Sequence, residues 1–212
     1  MNKNEKFVIT INRELGSGGR TIGRKLAEKL GVPFYDKAVI KSLEEKYSLT
    51  VDEIEKLKGR SHTWWGELKH MLWIDESIDV TCYEPENALN IEAPTSANMF
   101  KAEEEILHGI ADEESCVIAG RAGFYVFRNH PNHLNILIQA SMPCRLERVM
   151  RKQNLSEKEA RKTIEKVDKM RENYIKEYTK TSRYDTHNYD LVITVDGKTE
   201  DQIVDFILSF ID

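Results

Sequence analysis

Residues 7–31 of the chain read FVITINRELGSGGRTIGRKLAEKLG. The stretch opens with an apolar run over residues 7–11, which predicts a buried strand, and it closes with apolar residues at helical spacing. Between them lies a loop that contains Gly16, Gly18 and Gly19. The backbone N–H groups of such a loop and of the first helical turn converge on one point and attract an anion. The stretch therefore predicts a phosphate-binding loop.

This loop departs from the common phosphate-loop pattern, which is G-x-x-x-x-G-K-[ST]. In either alignment register the lysine position holds Gly19 or Arg20, and the first glycine position holds Arg13 or Glu14. Thr21 supplies a hydroxyl that can cap the helix or bind magnesium. A glycine-containing turn between a strand and a helix also occurs in doubly wound proteins that bind no nucleotide. The stretch alone leaves that alternative open.

The bulk composition limits the classes of partner. The chain has 212 residues and a net charge of −5, which fits one domain without a general attraction to nucleic acid or to an anionic membrane. A basic site must therefore be local, which suits a small phosphorylated ligand. The first six residues are polar and precede a short strand, so we expect a cytoplasmic protein. The 3 cysteines have no metal-ligand spacing.

Apolar segments alternate with helical patterns along the chain. After the first strand, short extended or apolar segments occur at residues 34–36, 116–119, 134–140 and 189–195, and most are followed by a helical pattern. Strands that are apolar throughout predict a parallel sheet covered by helices on both faces, which is a three-layer α/β fold. Residues 59–98 lose this periodicity and contain three tryptophans. We interpret them as a helical insertion on the acceptor side, whose tryptophans more often form a small core than a ligand site.

Polar residues that follow two of these strands are candidates for substrate binding. Asp36 and Lys37 follow the second strand, and the carboxyl ends of strands in open α/β sheets face the ligand. Asp36 could equally cap a helix that begins at Lys37. Arg121 follows the third strand, where Gly120 leaves its approach open and a guanidinium fork suits a phosphate. A structural ion pair is the alternative for Arg121.

Two helical patterns rich in arginine follow the fourth strand. Arg145, Arg148 and Arg151 recur every three residues and are predicted to share one helix face. A capping box at Ser156 then predicts a long charged helix. The two helices, over residues 145–180, would form a mobile lid, although a solvated helix face is the simpler interpretation of each arginine alone.

Four segments give the chain a resemblance to the cytidylate kinase-like family of P-loop nucleoside-monophosphate kinases. They read ITINRELGSGGRTIGRKLAEKLG, FYDKAVI, AGRAGFYVF and YDLVITVD, and together they span nearly the whole chain. The first aligns without a gap on the family's I-T-I-D-G-P-S-G-x-G-K-G-T, with Gly16, Gly18 and Thr21 on their counterparts. The family's lysine falls on Gly19, so Arg20 or Arg13 would supply the missing charge.

The resemblance implies further site residues. The family's G-R-D motif, in which the arginine holds the acceptor phosphate and the aspartate reads cytosine, appears as Gly120-Arg121-Ala122. Phosphate binding by Arg121 is therefore implied, and base reading is not. A weakened form of the family's lid motif keeps Asp168 and offers Arg171 as a phosphate partner.

The implied activity is phosphoryl transfer from ATP, with Mg²⁺, to a nucleoside monophosphate or a similar small acceptor. Thr21 would hold the magnesium, and the donor phosphates would be held by the loop residues Gly16, Ser17, Gly18, Gly19 and Arg20. Arg121 and Arg171 would orient the acceptor. The transferred group would be covered by the lid arginines Arg145, Arg148 and Arg151. A nucleotide-binding module without turnover and a kinase for a non-nucleotide acceptor are the rivals. A homo-oligomer is left open.

Overall fold

The computed structural model of the protein describes residues 1–36 and 97–211. Within them five strands form one sheet in the order β2–β3–β1–β4–β5, and every neighbouring pair is parallel. The strands are β1 (Val8–Arg13), β2 (Phe34–Asp36), β3 (Cys116–Ala119), β4 (His133–Gln139) and β5 (Leu191–Thr194). β1 lies in the centre, between β3 and β4. The carboxyl end of β1, where the glycine loop begins, is therefore flanked by the carboxyl ends of β3 and β4.

Six α-helices and one 3₁₀ turn are described. They are α1 (Gly19–Leu30), α2 (Ala97–Glu113), α3 (Gly123–Val126), α4 (Met142–Gln153), α5 (Glu157–Thr179), the 3₁₀ turn Thr186–Asn188 and α6 (Glu200–Ile211). The capping box predicted at the start of α5 is present, with Ser156 and Glu159 satisfying each other's backbone N–H groups. Among the described residues no helix is both long and apolar enough to cross a membrane.

The two faces of β1 explain why both sides of the sheet are covered. Ile9 and Ile11 are fully buried against apolar residues of α1 and α6. Thr10, between them, points to the opposite face, where Gly123 of α3 packs against its methyl group. Because both faces exclude water, the strand is apolar almost throughout. The predicted parallel sheet covered by helices is confirmed.

Helical spacing of apolar residues predicts that Met170 in the long charged helix and Phe210 in the last helix face the core, and both predictions are wrong. Phe210 in α6 is 52% exposed and Met170 in α5 is 38% exposed. In α5 the buried positions include Ile164, Asp168 and Ile175, so the buried face follows a different stripe and includes a carboxylate. The predictions for Lys37, for the helices that follow it and for most of the insertion at 59–98 lie outside the described residues.

Candidate active site

The glycine loop has the backbone conformation of an anion cradle at the amino end of α1. Gly16 and Gly18 have φ angles of +86° and +81°, in the left-handed region that favours glycine. The N-cap residue of α1 is Gly18, which has no side chain to cap the helix, and the first turn contains no acidic residue. The positive end of the helix dipole is therefore not offset by an acidic residue of the helix itself. Ser17 is fully buried and its hydroxyl donates to the carbonyl of Glu14 at 2.9 Å, so this side chain shapes the loop.

In one alignment register of the common loop pattern, Arg13 lies at the first glycine position and Gly19 lies at the lysine position. A Cβ atom placed on Gly19 would lie 2.5 Å from the Cβ of Arg13, which is closer than two side chains can approach. The stem of Arg13 therefore takes the space in which a lysine at position 19 would begin. Its guanidinium group reaches Gly120, where any Cβ would collide with Nη1. Position 19 has to be glycine because position 13 carries a Cβ atom.

Arg20 has a carboxylate partner. Its Nε donates to Oδ2 of Asp36 at 2.5 Å, and the Asp36 side chain is only 4% exposed. The predicted replacement charge at Arg20 and the predicted substrate ligand at Asp36 are thus bound to each other. Between the two candidates for the missing lysine, this ion pair favours Arg13.

Two further arginines converge on the backbone at Arg13. Arg171 donates from Nη1 to the Arg13 carbonyl at 3.1 Å, and Arg183 donates from Nη2 to the same oxygen. Asp168 lies 3.9 Å from Arg171 and 3.6 Å from Arg183, and among the described residues it is the only carboxylate within 4.0 Å of either. We call Arg13, Arg171 and Arg183 the arginine cluster.

The guanidinium groups of the arginine cluster repel one another. Burial and the neighbouring Arg171 lower the pKa of Arg13 to about 9, although Asp36 acts in the opposite direction. Burial and Arg183 likewise lower the pKa of Arg171 to about 10, against the effect of Asp168. Mutual repulsion among guanidinium groups is relieved when an anion binds between them. The cluster therefore favours an anionic ligand.

Arg183 was missed by the sequence reasoning. It is fully buried, and its Nε and Nη1 atoms have no hydrogen-bond partner within the described structure. It lies in the connection between α5 and β5, where no periodic pattern indicates which residues face inward. Only the return of this connection to the sheet places Arg183 beside β1.

The three arginines at 145, 148 and 151 do not share one face. Their side chains are 7%, 20% and 68% exposed, respectively. Each step of three residues falls about 60° short of a full helical turn, so two steps separate Arg145 from Arg151 by about 120°. Arg145 is buried and paired with Asp168 and Glu14, while Arg151 is in solvent beside Glu147.

Arg148 is the member of this set whose guanidinium group reaches the glycine loop. A Cβ on Gly18 would lie 2.9 Å from that group, so glycine is needed here for close approach as well as for its positive φ. Glu200, at the start of α6, accepts a 2.7 Å hydrogen bond from Arg148 Nη2. Arg148 is thereby held over the loop.

Arg121 is buried in an ion pair on the other side of β1. It contacts Glu103 of α2, and its guanidinium carbon lies 5.3 Å from the ring centroid of Tyr174. Tyr174 in turn donates to Glu103 at 3.0 Å. The alternative of a structural ion pair for Arg121 is thus present in the structure, and a role in phosphate binding stays a prediction.

The hydroxyl group of Thr21 is the predicted ligand for magnesium. Among the described residues there is no group of three or more histidine, cysteine or acidic side chains that could hold a metal. A magnesium ion in a kinase site takes most of its ligands from phosphates and water, so one protein oxygen is compatible with it. Thr21, in the first turn of α1, is the residue of the loop that can provide this oxygen.

The chain is similar in sequence to known proteins over most of its length. The sequence pattern of the cytidylate kinase-like family matches residues 8–197. The cytidylate kinase of Methanopyrus kandleri is 24% identical over 214 residues, which cover 97% of this chain and 93% of that protein.

Solved structures show the same fold. An uncharacterized protein from Eubacterium ventriosum ATCC 27560 has a TM-score of 0.65 at 23% identity, over 98% of this chain and 99% of that one. Shikimate kinase from Bacteroides thetaiotaomicron has a TM-score of 0.50 at 15% identity, over 97% of this chain and 98% of its own. At these identities the likeness concerns the fold, and it confirms the three-layer α/β fold of P-loop kinases.

Proposed function

The chain belongs to the cytidylate kinase-like family, and on that premise we propose that it is a kinase that transfers a phosphoryl group from ATP to a nucleoside monophosphate or a similar small acceptor. Membership of the family and the P-loop kinase fold support a nucleotide or small-molecule kinase. ATP as donor, magnesium as cofactor and the nature of the acceptor are the finer parts of the proposal.

The observation that carries the proposal is the convergence of three guanidinium groups on the end of the strand that leads into the glycine loop. Arg171 and Arg183 donate to the carbonyl of Arg13, and Asp168 is the carboxylate nearest to both. In phosphoryl transfer the protein contributes mainly positioning and the neutralisation of charge on the transferred group. A cluster of guanidinium groups beside a phosphate loop fits that task.

The donor side of the site is assigned to the loop and to α4. Backbone N–H groups of the loop, from Gly16 to Arg20, hold the donor phosphates, and Arg148 lies against them at Gly18. Thr21 would hold Mg²⁺, which supplies charge neutralisation of the phosphate oxygens when it is bound. The guanidinium group of Arg13 takes the place of the missing lysine ammonium group, and its charge is spread over a planar group instead of being concentrated at one point.

The acceptor side is assigned to the arginine cluster. Arg171 and Arg183 orient the anionic group of the acceptor, and Arg13 lies between the two sides. Glu103 neutralises the charge of Arg121. Arg121 therefore contributes to the acceptor site either as part of this ion pair or after the pair has separated. Asp36 acts on the site by positioning Arg20, and Asp168 acts by positioning Arg145, Arg171 and Arg183. Lys37 keeps its predicted role as a substrate ligand.

The experiment that tests the proposal is ATP consumption with Mg²⁺ against a panel of nucleoside monophosphates and of other small phosphorylated and unphosphorylated molecules. We expect consumption with at least one acceptor. Arg13→Ala should lower kcat/KM by about 1000-fold, as the loss of a group that stabilises transition-state charge does. The control is Arg161→Ala on an exposed face of α5, which should leave kcat/KM unchanged. Equal rates in Arg13→Ala and in the wild type would contradict the role of Arg13.

Two rivals are favoured by specific observations. A nucleotide-binding module without turnover is favoured by Gly19 at the lysine position, and it predicts ATP binding with no consumption by any acceptor. A kinase for a non-nucleotide acceptor is favoured by Ala122 in place of the base-reading aspartate and by the pairing of Arg121 with Glu103. It predicts consumption with a metabolite and none with any nucleotide. A protein that fails to bind ATP would overturn all three.

A further inference from the structure

Leu15, which precedes the first glycine of the loop, is held by helices α4 and α5. Its N–H donates to Oδ1 of Asp168 at 3.1 Å, and its carbonyl accepts from Nε of Arg145 at 2.8 Å. Its side chain packs against the apolar cluster that α4 and α5 form between them, made of Leu146, Val149, Ala160 and Ile164. Both backbone polar groups of Leu15 and its side chain thus contact the same helix pair.

The backbone on either side of Leu15 is held as well. A Cβ on Gly16 would lie 2.8 Å from the backbone oxygen of Arg145, so the loop is in direct contact with α4. Glu14 accepts from the N–H of Ala140 at 3.1 Å, and its other oxygen lies 3.3 Å from Arg145. Contacts with α4 and α5 therefore hold the first half of the loop in place.

Asp168 links this half of the loop to the arginine cluster. One of its oxygens pairs with Arg145, while the other accepts from Leu15 and lies within 4.0 Å of Arg171 and Arg183. The carboxylate is buried, as is Arg145, so these contacts are little screened by solvent. One charged group thereby sets the distance between the loop and the arginines.

We propose that Asp168 and Arg145 are positioning residues that lock the glycine loop and the arginine cluster in one relative placement. This inference rests on the proposed function, because that placement is what would bring a loop-bound triphosphate to the arginines. It also revises the expectation of a lid: α4 and α5 hold the loop through Leu15 and move with it. Neither Asp168 nor Arg145 is required to touch the substrate.

Asp168→Asn tests the lock in the ligand-free protein. Asparagine keeps an oxygen for Leu15 and loses the charge that binds the arginines. We expect amide hydrogen exchange in the peptide covering residues 13–19 to accelerate by about tenfold or more, since a hydrogen bond to a charged group is weakened. Exchange in the strands should not change. Glu165→Gln, an exposed acid on the same helix, is the matched control and should exchange like the wild type.

A second variant and a second measurement separate the possible failures. Arg145→Lys keeps the charge but cannot reach Leu15, Glu14 and Asp168 together, and it carries the test if Asp168→Asn does not fold. In both variants the Kd for ATP with Mg²⁺, from calorimetry, should rise by about tenfold, with the Glu165→Gln value unchanged.

Unchanged loop exchange in both variants would overturn the inference, and so would an equal acceleration in strands and loop, which indicates general loss of stability. If the wild type binds no ATP, the proposed function fails, whereas the exchange measurement still decides whether the lock exists.

Discussion

Arginines occur in two settings in this molecule. Arg121 pairs with Glu103, and Arg20 pairs with Asp36. In the arginine cluster, by contrast, Asp168 is shared between Arg171 and Arg183 and also pairs with Arg145. A pair cancels its charge and stabilises the fold only while both partners are present, whereas a shared carboxylate leaves charge for a ligand. The difference distinguishes structural arginines from those of the site, and four experiments follow from it.

The largest expected effect comes from breaking a pair. Glu103→Ala removes a buried carboxylate from the buried Arg121, which should lower the free energy of unfolding by about 3 kcal/mol. Urea denaturation followed by circular dichroism measures this change. Glu104→Ala, on the same helix, is the control. A midpoint equal to that of the wild type would show that the pair is not what holds Arg121.

Ligand binding should stabilise the cluster, because an anion supplies the charge that Asp168 does not. ATP at 100 times its Kd, with Mg²⁺, should raise the free energy of unfolding by about 2.7 kcal/mol. The thermal midpoint measured with and without ATP gives this value. Arg13→Met should lose most of the gain while Arg161→Met keeps it; an equal gain in both would place the anion elsewhere.

Removing one arginine from the cluster should stabilise the unliganded protein. In Arg183→Met an apolar chain replaces a buried charge whose Nε and Nη1 lack hydrogen bonds to any of the described residues, and Asp168 retains Arg145. We expect the free energy of unfolding to rise by about 1 kcal/mol and the affinity for ATP to fall by about tenfold. Chemical denaturation and calorimetry measure the two changes. Destabilisation comparable to that of Glu103→Ala would mean that Arg183 is a structural arginine.

The smallest expected effect concerns a buried polar group that is kept neutral. His133 bonds to Thr10 at 3.1 Å, and burial lowers its pKa from 6.5 to about 4. Since the unfolded state takes up the proton first, this residue should make stability fall as the pH drops from 6.5 towards 4, by about 0.8 kcal/mol at pH 6. Denaturation of His133→Gln beside the wild type isolates the effect; parallel pH profiles would contradict it.

Several features could be predicted because they depend on local sequence. The apolar run before the glycine loop, the glycines with positive φ and the capping box at Ser156 each follow from contacts within a few residues. The parallel sheet also followed, since strands that are apolar on both faces have to be covered on both faces. Partners in ion pairs could not be predicted, because Arg121 and Glu103 are brought together only when α2 packs beside β3.

Arg13 and Arg20 show which part of the candidate site can be predicted from the sequence and which part depends on the tertiary structure. By itself the sequence determined that a phosphate loop begins at the end of β1 and that its lysine is missing, because spacing along the chain is enough for both statements. Only the tertiary structure distinguishes the surroundings of the two arginines: β2 brings Asp36 to Arg20, and Gly19 makes room for Arg13. It also brought Arg183 into the site from the far end of α5. The charge balance of a buried site depends on every strand and helix that contributes a residue to it, and the fold determines which strands and helices these are.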